Sequence, residues 1–442
     1  MPATDRDLYL DALRAGALVV VVLGHWAATL PRMDDGVMVE AEHLLKLWEA
    51  AGYLTWLVQV VPLFIFVSAA VSADGVERRM RAGHRQLHWW AGRSLALARP
   101  TVTYLAVLAA FALLTVFTGG RLLDQLNESL TIHLWFLLML ITVQALLPAS
   151  VEADRKFGLW AIAGLIAITA LVDWLRAGLP GPSGIPGLGE RVMAADSLAA
   201  LLIGSVNAFA VWLLPQQLGI AWRRKRFHGA AVGAALIGLG LVWLLATIAS
   251  GYPVGMVGVD FAGHSNMLPP TLALIGVMWL QIGLVLLLEK PARWLIERRH
   301  VAGAVTVLSA LGMPLYLWHK FAELPAAWLG ERLGLPIDAG IPGTPGFWAG
   351  RGWWLLLCLA MVIPVIAAVA AFEARRSRQV AAAGSPRAII IGGISLYAGL
   401  TISLALGAIP GAIIGTVLVL VASQVLRQHP RFSGSRRAGK AS

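Results

Sequence analysis

Long apolar runs return along the whole of this chain, and they leave few folds open to it. Windows of about twenty predominantly apolar residues recur twelve times, near 10–30, 51–73, 95–117, 133–150, 158–175, 197–217, 230–250, 270–289, 303–328, 353–372, 388–407 and 410–426. Such runs lack the two-residue alternation of a membrane barrel strand, so each calls for a helix that satisfies its own backbone. Composition agrees, since 58% hydrophobic and only 13% charged residues over 442 positions, with a mean hydropathy of +0.74, exclude an ordinary soluble domain. The expected fold is all-α, a polytopic membrane helix bundle of about twelve transmembrane helices.

A net charge of +11 and a sequence pI near 10.4 would suit a nucleic-acid binder, but in a membrane protein they reflect the basic bias of cytoplasmic loops. No nucleic-acid partner is expected. With the N-terminus inside, the inner segments hold 25 of the 35 Lys and Arg residues and the outer loops hold 7. Arg14, Arg99 and Lys320 fall within spans. One span more or fewer would scramble this alternation, so both termini are expected in the cytoplasm. The location is then a cell membrane, bacterial inner or plasma membrane, crossed many times. The first apolar run is expected to stay as a helix, because Asp5, Asp7, Asp11 and Arg14 make a poor signal-peptide start.

Ionisable residues inside such runs are expensive and face a bundle interior or a watery cavity. In DALRAGALVVVVLGHW, residues 11–26, Arg14 and His25 are eleven positions apart. On a helix that is three turns plus about 20°, so both share one face roughly 16 Å apart, and Asp11 shares it too. The orientation puts Arg14, Arg93 and Arg99 in the inner half. His25, His133 and His319 come from three separate helices and converge on the outer half, together with Trp26, Trp135, Tyr316 and Trp318. Each of these also has a plain reading, as an interfacial anchor or a topology signal.

The outer loop GYPVGMVGVDFAGHSNMLPP is rich in turn formers. Its Asp260, His264, Ser265 and Asn266 are candidates to meet a polar substrate. WRRKRF at 222–227 reads as a topology signal, and GAIIG at 411–415 has the small-residue spacing of close helix packing. The one cysteine, Cys358, allows no internal disulfide, and no Cys/His cluster has metal-ligand spacing, so no metal is expected.

The opening LDALRAGALVVVVLGHW resembles the N-terminal signature of the acyltransferase family 3 membrane proteins, a basic residue, ten others and a histidine, here Arg14 and His25. VPLFIFVSAA (61–70), HLWFLLML (133–140) and MPLYLWHK (313–320) resemble later segments of that family in the same order, and SNMLPPTLALIG (265–276) looks like its actinobacterial members. The resemblance covers about residues 5 to 373 and ten helices. It divides the chain into a membrane acyltransferase core at 1–373, a cytoplasmic linker at 374–387, two additional helices at 388–426 and a basic tail at 427–442. Two departures stand out. The family often has an arginine pair three residues apart before the proline of its third helix, whereas RSLALARP spaces Arg93 and Arg99 by six, and the last two helices exceed the ten-helix core.

What the resemblance implies is transfer of an acyl group from an acyl-CoA donor, acetyl-CoA first among them, to a hydroxyl or amine of a glycan, lipid or small molecule. His25 would be the general base with Asp11, His133 and His319 beside it. Arg14, Arg93 and Arg99 would hold the donor phosphates. Trp26, Trp135, Tyr316, Trp318, Ser265 and Asn266 would meet the acceptor. Membrane lipids are partners by location, and a homo-oligomer is open. Two other classes fit the intramembrane charges as well, a transporter or flippase and a silent membrane scaffold.

Overall fold

The computed structural model describes residues 7–34, 37–117, 129–179, 187–195, 197–258, 265–337, 342–376 and 385–427. The chain starts with α1 (Leu8–Ala28), whose first turn is capped by the Asp7 carboxylate accepting from Tyr9 N at 3.0 Å. Pro31 follows closely and disfavours helical geometry just before it, so the backbone turns extended at Thr29. Strands β1 (Thr29–Asp34) and β2 (Val37–His43) then form an antiparallel hairpin, tied by Arg32 to Glu42 at 2.6 Å. Short helices α2 (Leu44–Leu47) and α3 (Thr55–Val58) lead to α4 (Val61–Arg81) and the long α5 (Gln86–Phe117).

Helices α6 (Leu134–Ala145) and α7 (Leu147–Phe157) are one apolar element bent by 49°, with Pro148 in the first turn after the bend. Next come α8 (Trp160–Ala177), α9 (Leu188–Ala194), α10 (Leu198–Arg223), α11 (Ala230–Ala249) and α12 (Ala273–Ile296). Helices α13 (Arg299–Ala310) and α14 (Gly312–Trp318) form a second broken pair, bent by 57° just ahead of Pro314. The chain closes with α15 (Glu323–Arg332), α16 (Pro345–Arg376), α17 (Pro386–Leu406) and α18 (Ala412–Val425).

Among the described residues, nine helices are long and apolar enough to cross a membrane, or eleven when each bent pair is one span. That tally counts Pro386–Val425 once, although it folds back on itself at Ile409. Gly392 faces Leu426, Gly399 faces Val419 and Gly415 faces Ser403, a register only antiparallel helices have. The twelve spans expected from hydropathy are thus eleven by length plus α18, which at 14 residues is the short return helix. The GAIIG motif serves that packing.

The large side chains left exposed on the long helices are apolar, among them Leu114, Leu202, Val242, Ile363 and Ile394. That is the surface a lipid solvent requires, so the molecule is an all-α multi-pass membrane protein. Inside, α1 runs through the bundle in contact with α4, α12, α13, α14 and α16. Both halves of its ionisable face therefore lie against other helices.

The hairpin at 29–43 is the element that apolar windows do not reveal. Its sequence signal is the Asp35-Gly36 pair between two short mixed runs. The expected linker and tail lie mostly outside the described residues, at 377–384 and 428–442.

Candidate active site

Helix α1 ends at the site, and the break after α14 supplies the other side of it. His25 Nδ1 and His319 Nε2 are 2.7 Å apart, with rings stacked at a centroid distance of 5.0 Å. His319 Nδ1 lies 2.7 Å from the Tyr316 carbonyl oxygen. A carbonyl only accepts, so Nδ1 of His319 carries that proton. In the neutral ring its Nε2 is then an acceptor, and the short bond is donated by His25 Nδ1–H. The consequence is that His25 Nε2 is left with a lone pair. His319 is wholly buried, while His25 is only half-buried and is the reachable member of the pair.

His133, at the start of α6, packs its ring edge-on against His319 at 5.5 Å, Tyr104 at 5.4 Å and Tyr316 at 5.6 Å. The Tyr316 hydroxyl donates to the His133 carbonyl oxygen. Both ring nitrogens of His133 are sealed from solvent, with the Leu317 backbone as a hydrogen-bonding neighbour. All three histidines expected to converge do so.

Beside them lies a buried ion pair that the sequence reading did not assign. Lys320 donates to both Glu323 carboxylate oxygens at 2.8 Å and to Thr29 Oγ1 at 3.0 Å. The same Thr29 hydroxyl is 2.9 Å from the His25 carbonyl, and Arg351 on α16 donates to the Thr29 carbonyl at 2.6 Å. The end of α1 is thereby held by two segments far from it in sequence, 320–323 and α16. The three-residue spacing of Lys320 and Glu323 was a visible signal. Thr29 and Arg351 carried none, because they meet across 322 positions.

His43, at the end of β2, joins this side of the bundle within electrostatic range of His25 and Lys320. Its Nδ1 accepts from Leu45 N at 3.2 Å. Burial, then the charges of Lys320 and Lys46, press its pKa down to about 4. It stays neutral at ordinary pH.

At the other end of α1, Arg14 Nη2 bonds the Asp11 carboxylate at 2.8 Å, as their spacing predicts. Arg93 on α5 donates to Ser72 Oγ of α4 at 2.7 Å, lies over the Trp89 ring and is within electrostatic range of Arg14. Arg99 is half-buried on the same helix. Six residues on a helix turn through about 600°, which sets Arg99 roughly 120° away from Arg93. Arg93 therefore lies on a different face of α5 from Arg99, and it is Arg93 that comes within electrostatic range of Arg14. Nearby, Arg293 binds Asp7 through both carboxylate oxygens at 2.9 and 3.1 Å. Burial alone would raise the Asp7 pKa, but the bonds and charge of Arg293 outweigh it and hold the carboxyl below its ordinary value.

One chain thus joins a basic, arginine-lined end to a histidine cluster along a single helix. Residues 7–373 match the acyltransferase domain family. The chain belongs to acyltransferase family 3. No curated protein and no solved structure matches it. Membership makes this multi-pass protein a membrane acyltransferase.

In the acyltransferase the remaining expected site residues are placed as follows. Trp26 is buried, donates from Nε1 to the His319 carbonyl at 3.0 Å and accepts from Trp354 Nε1 at 2.8 Å through its own carbonyl. Tyr316 and Trp318 are buried too, with their rings against Tyr104, His133 and Phe136. Trp26 and Tyr316 brace the histidines, and Trp318 packs behind them on Tyr104. Trp135 is half-buried beside Trp212 and keeps part of its face open. Asn266 is buried, bonding the Pro253 and Gly255 carbonyls at 2.7 and 2.9 Å and the Thr271 hydroxyl at 2.8 Å. It organises the loop, and Ser265 accepts from Met267 N. Asp260 and His264 lie outside the described residues. Cys358 is buried.

Proposed function

We propose that the protein transfers an acyl group from a cytoplasmic acyl-CoA to a hydroxyl or amine acceptor that arrives at the opposite side, with His25 as general base. The observation that carries this reading is the hydrogen-bonded chain from the Tyr316 carbonyl through His319 to His25. It supports the reading because a proton donated from His25 Nδ1 leaves the lone pair on His25 Nε2. A neutral imidazole is suited to the task because the ring nitrogen that carries no hydrogen offers a lone pair to the acceptor's proton.

The step is direct. The acceptor oxygen or nitrogen attacks the thioester carbonyl carbon as its proton moves to His25 Nε2. The tetrahedral intermediate collapses, the carbon–sulfur bond breaks, and the coenzyme A thiolate leaves and recovers the proton. His319 accepts from Nδ1 throughout and so spreads the charge that His25 acquires. Asp11 orients Arg14, and Arg14 with Arg93 suits the donor phosphates by charge-assisted hydrogen bonding. The extended pantetheine arm matches the roughly 16 Å that eleven residues of α1 span. His133 packs edge-on beside the pair and would steady the developing oxyanion. Trp135 offers the open aromatic face for the acceptor.

This reading puts the arginine-rich end of the bundle in the cytoplasm. Sealed membrane vesicles of each orientation, supplied with radiolabelled acetyl-CoA, test it. Label should enter the lipid or glycan fraction only from vesicles that expose the Arg14 side. Incorporation from the opposite orientation, or none above empty membranes in either, would count against the proposal.

A further inference from the structure

The two helices beyond the family match pack on the core chiefly through α18 against α5, and α17 meets α6 and α5 along a narrower line. Tyr397 of α17 bonds Thr142 of α6, and Gly393 packs against the Trp90 indole, which itself donates to the Ile141 carbonyl at 3.2 Å. These contacts fix α17 along one line and leave a groove beside it of about 1050 Å³. Its walls include Arg85 and Trp89 near the start of α5, Ala149 of α7, and Ile394, Ala398 and Ile402 of α17. From Ile389 to Ile402 the lining runs thirteen residues along α17, about 20 Å, which is longer than the roughly 15 Å of one leaflet's hydrocarbon and so room enough for a lipid's acyl chains.

From Ile389 onward the wall is mostly apolar, with Thr401 and Tyr397 as its polar members and the Tyr397 hydroxyl engaged by Thr142. The mouth is different. Arg85 sits there exposed, with no ion-pair partner among the described residues, and the loop and helix end before it carry Arg78, Arg79 and Arg81. Trp89 and Trp90 stand at the same level, where indoles favour the headgroup region. An apolar slot long enough for acyl chains, beneath a guanidinium with no ion-pair partner among the described residues, has the chemistry to hold an anionic glycerophospholipid, with its acyl chains in the slot and its phosphate at Arg85.

We infer that the groove between the core and the α17–α18 hairpin is a binding site for one anionic phospholipid, which cements the hairpin to the core. The fatty chains fill space that neither helix layer fills, and the headgroup answers the charge of Arg85. Neither the acyl donor nor the histidine cluster is involved.

Native mass spectrometry of the delipidated full-length protein, titrated with phosphatidylglycerol or phosphatidylcholine, tests this. One phosphatidylglycerol per chain should survive activation that strips phosphatidylcholine. Arg85→Gln should weaken phosphatidylglycerol binding by roughly fivefold or more and leave phosphatidylcholine unchanged. Ile394→Trp, at a side chain 65% exposed in the groove, should abolish retention, with Ala398→Trp as the second filling variant. Equal retention of the two lipids by the unaltered protein would overturn the proposal, a comparison that needs no variant to fold. So would undiminished phosphatidylglycerol retention in folded Ile394→Trp protein.

Discussion

At the scale of single residues, the site rests on charges and rings removed from water. Lys320 and Glu323 are both almost completely buried and bond each other at 2.8 Å. Removing one partner of such a pair leaves an uncompensated charge, so Lys320→Met should destabilise the protein by roughly 3–5 kcal/mol. Lys320→Met with Glu323→Gln should recover much of that loss, as read from unfolding midpoints in one detergent. His43 gives a pH dependence with a definite sign. Its folded pKa of about 4 lies below the ordinary 6.5, so the unfolded chain binds the proton more readily. Its contribution is complete above pH 6.5 and is lost as the pH falls toward 4. Unfolding midpoints should fall across that window, and His43→Asn should flatten the fall.

How much of the site could be read in advance follows from sequence separation. Arg14, Asp11 and His25 share a helix, so helical periodicity alone put them on one face. His25, His133 and His319 were brought together by depth in the membrane, which orientation supplies. Thr29, Arg351 and His43 were invisible because their partners are set by how helices pack. Trp26, Tyr316 and Trp318 were visible as aromatics near the site, but sequence could not tell a ring facing an acceptor from one wedged beneath a histidine.

At the scale of elements, glycines decide which helices approach closely. Helices α11 and α12 touch through Gly233 with Gly283 and Gly240 with Gly276. A Cβ at Gly240 would lie 2.6 Å from Leu280 N and 2.8 Å from Gly276 O, both backbone atoms that cannot move aside. Gly240→Val should therefore lower stability by about 1–3 kcal/mol or more. Gly238, one face away, has nothing within 4 Å of an added Cβ. Gly238→Ala should be neutral or stabilising by up to about 1 kcal/mol, because alanine is the better helix former. The pair of midpoints checks the packing. Such contacts were only partly legible. Small-residue spacing marked 411–415, but the apolar windows could not say which helix would lie opposite. The breaks at Leu146 and Leu311 were likewise absorbed into single spans, since hydropathy is blind to a bend.

At the scale of the whole molecule, α1 joins two chemically distinct ends of a helix bundle. The basic end carries Arg14, Arg93 and Arg293, and the other carries the histidines. The segregation of lysine and arginine along the chain predicts that the basic end faces the cytoplasm. Tags on the two termini should both be reached by protease only after the cytoplasmic face is opened. A terminus digested in intact cells would reverse the sidedness. The central claim is that His25 takes the acceptor's proton, and its most direct test is the rate of label transfer from acetyl-CoA by His25→Ala protein at matched expression. The account predicts a loss of at least about 10²-fold with an unchanged unfolding midpoint, and a rate within about twofold of the unaltered protein would contradict it.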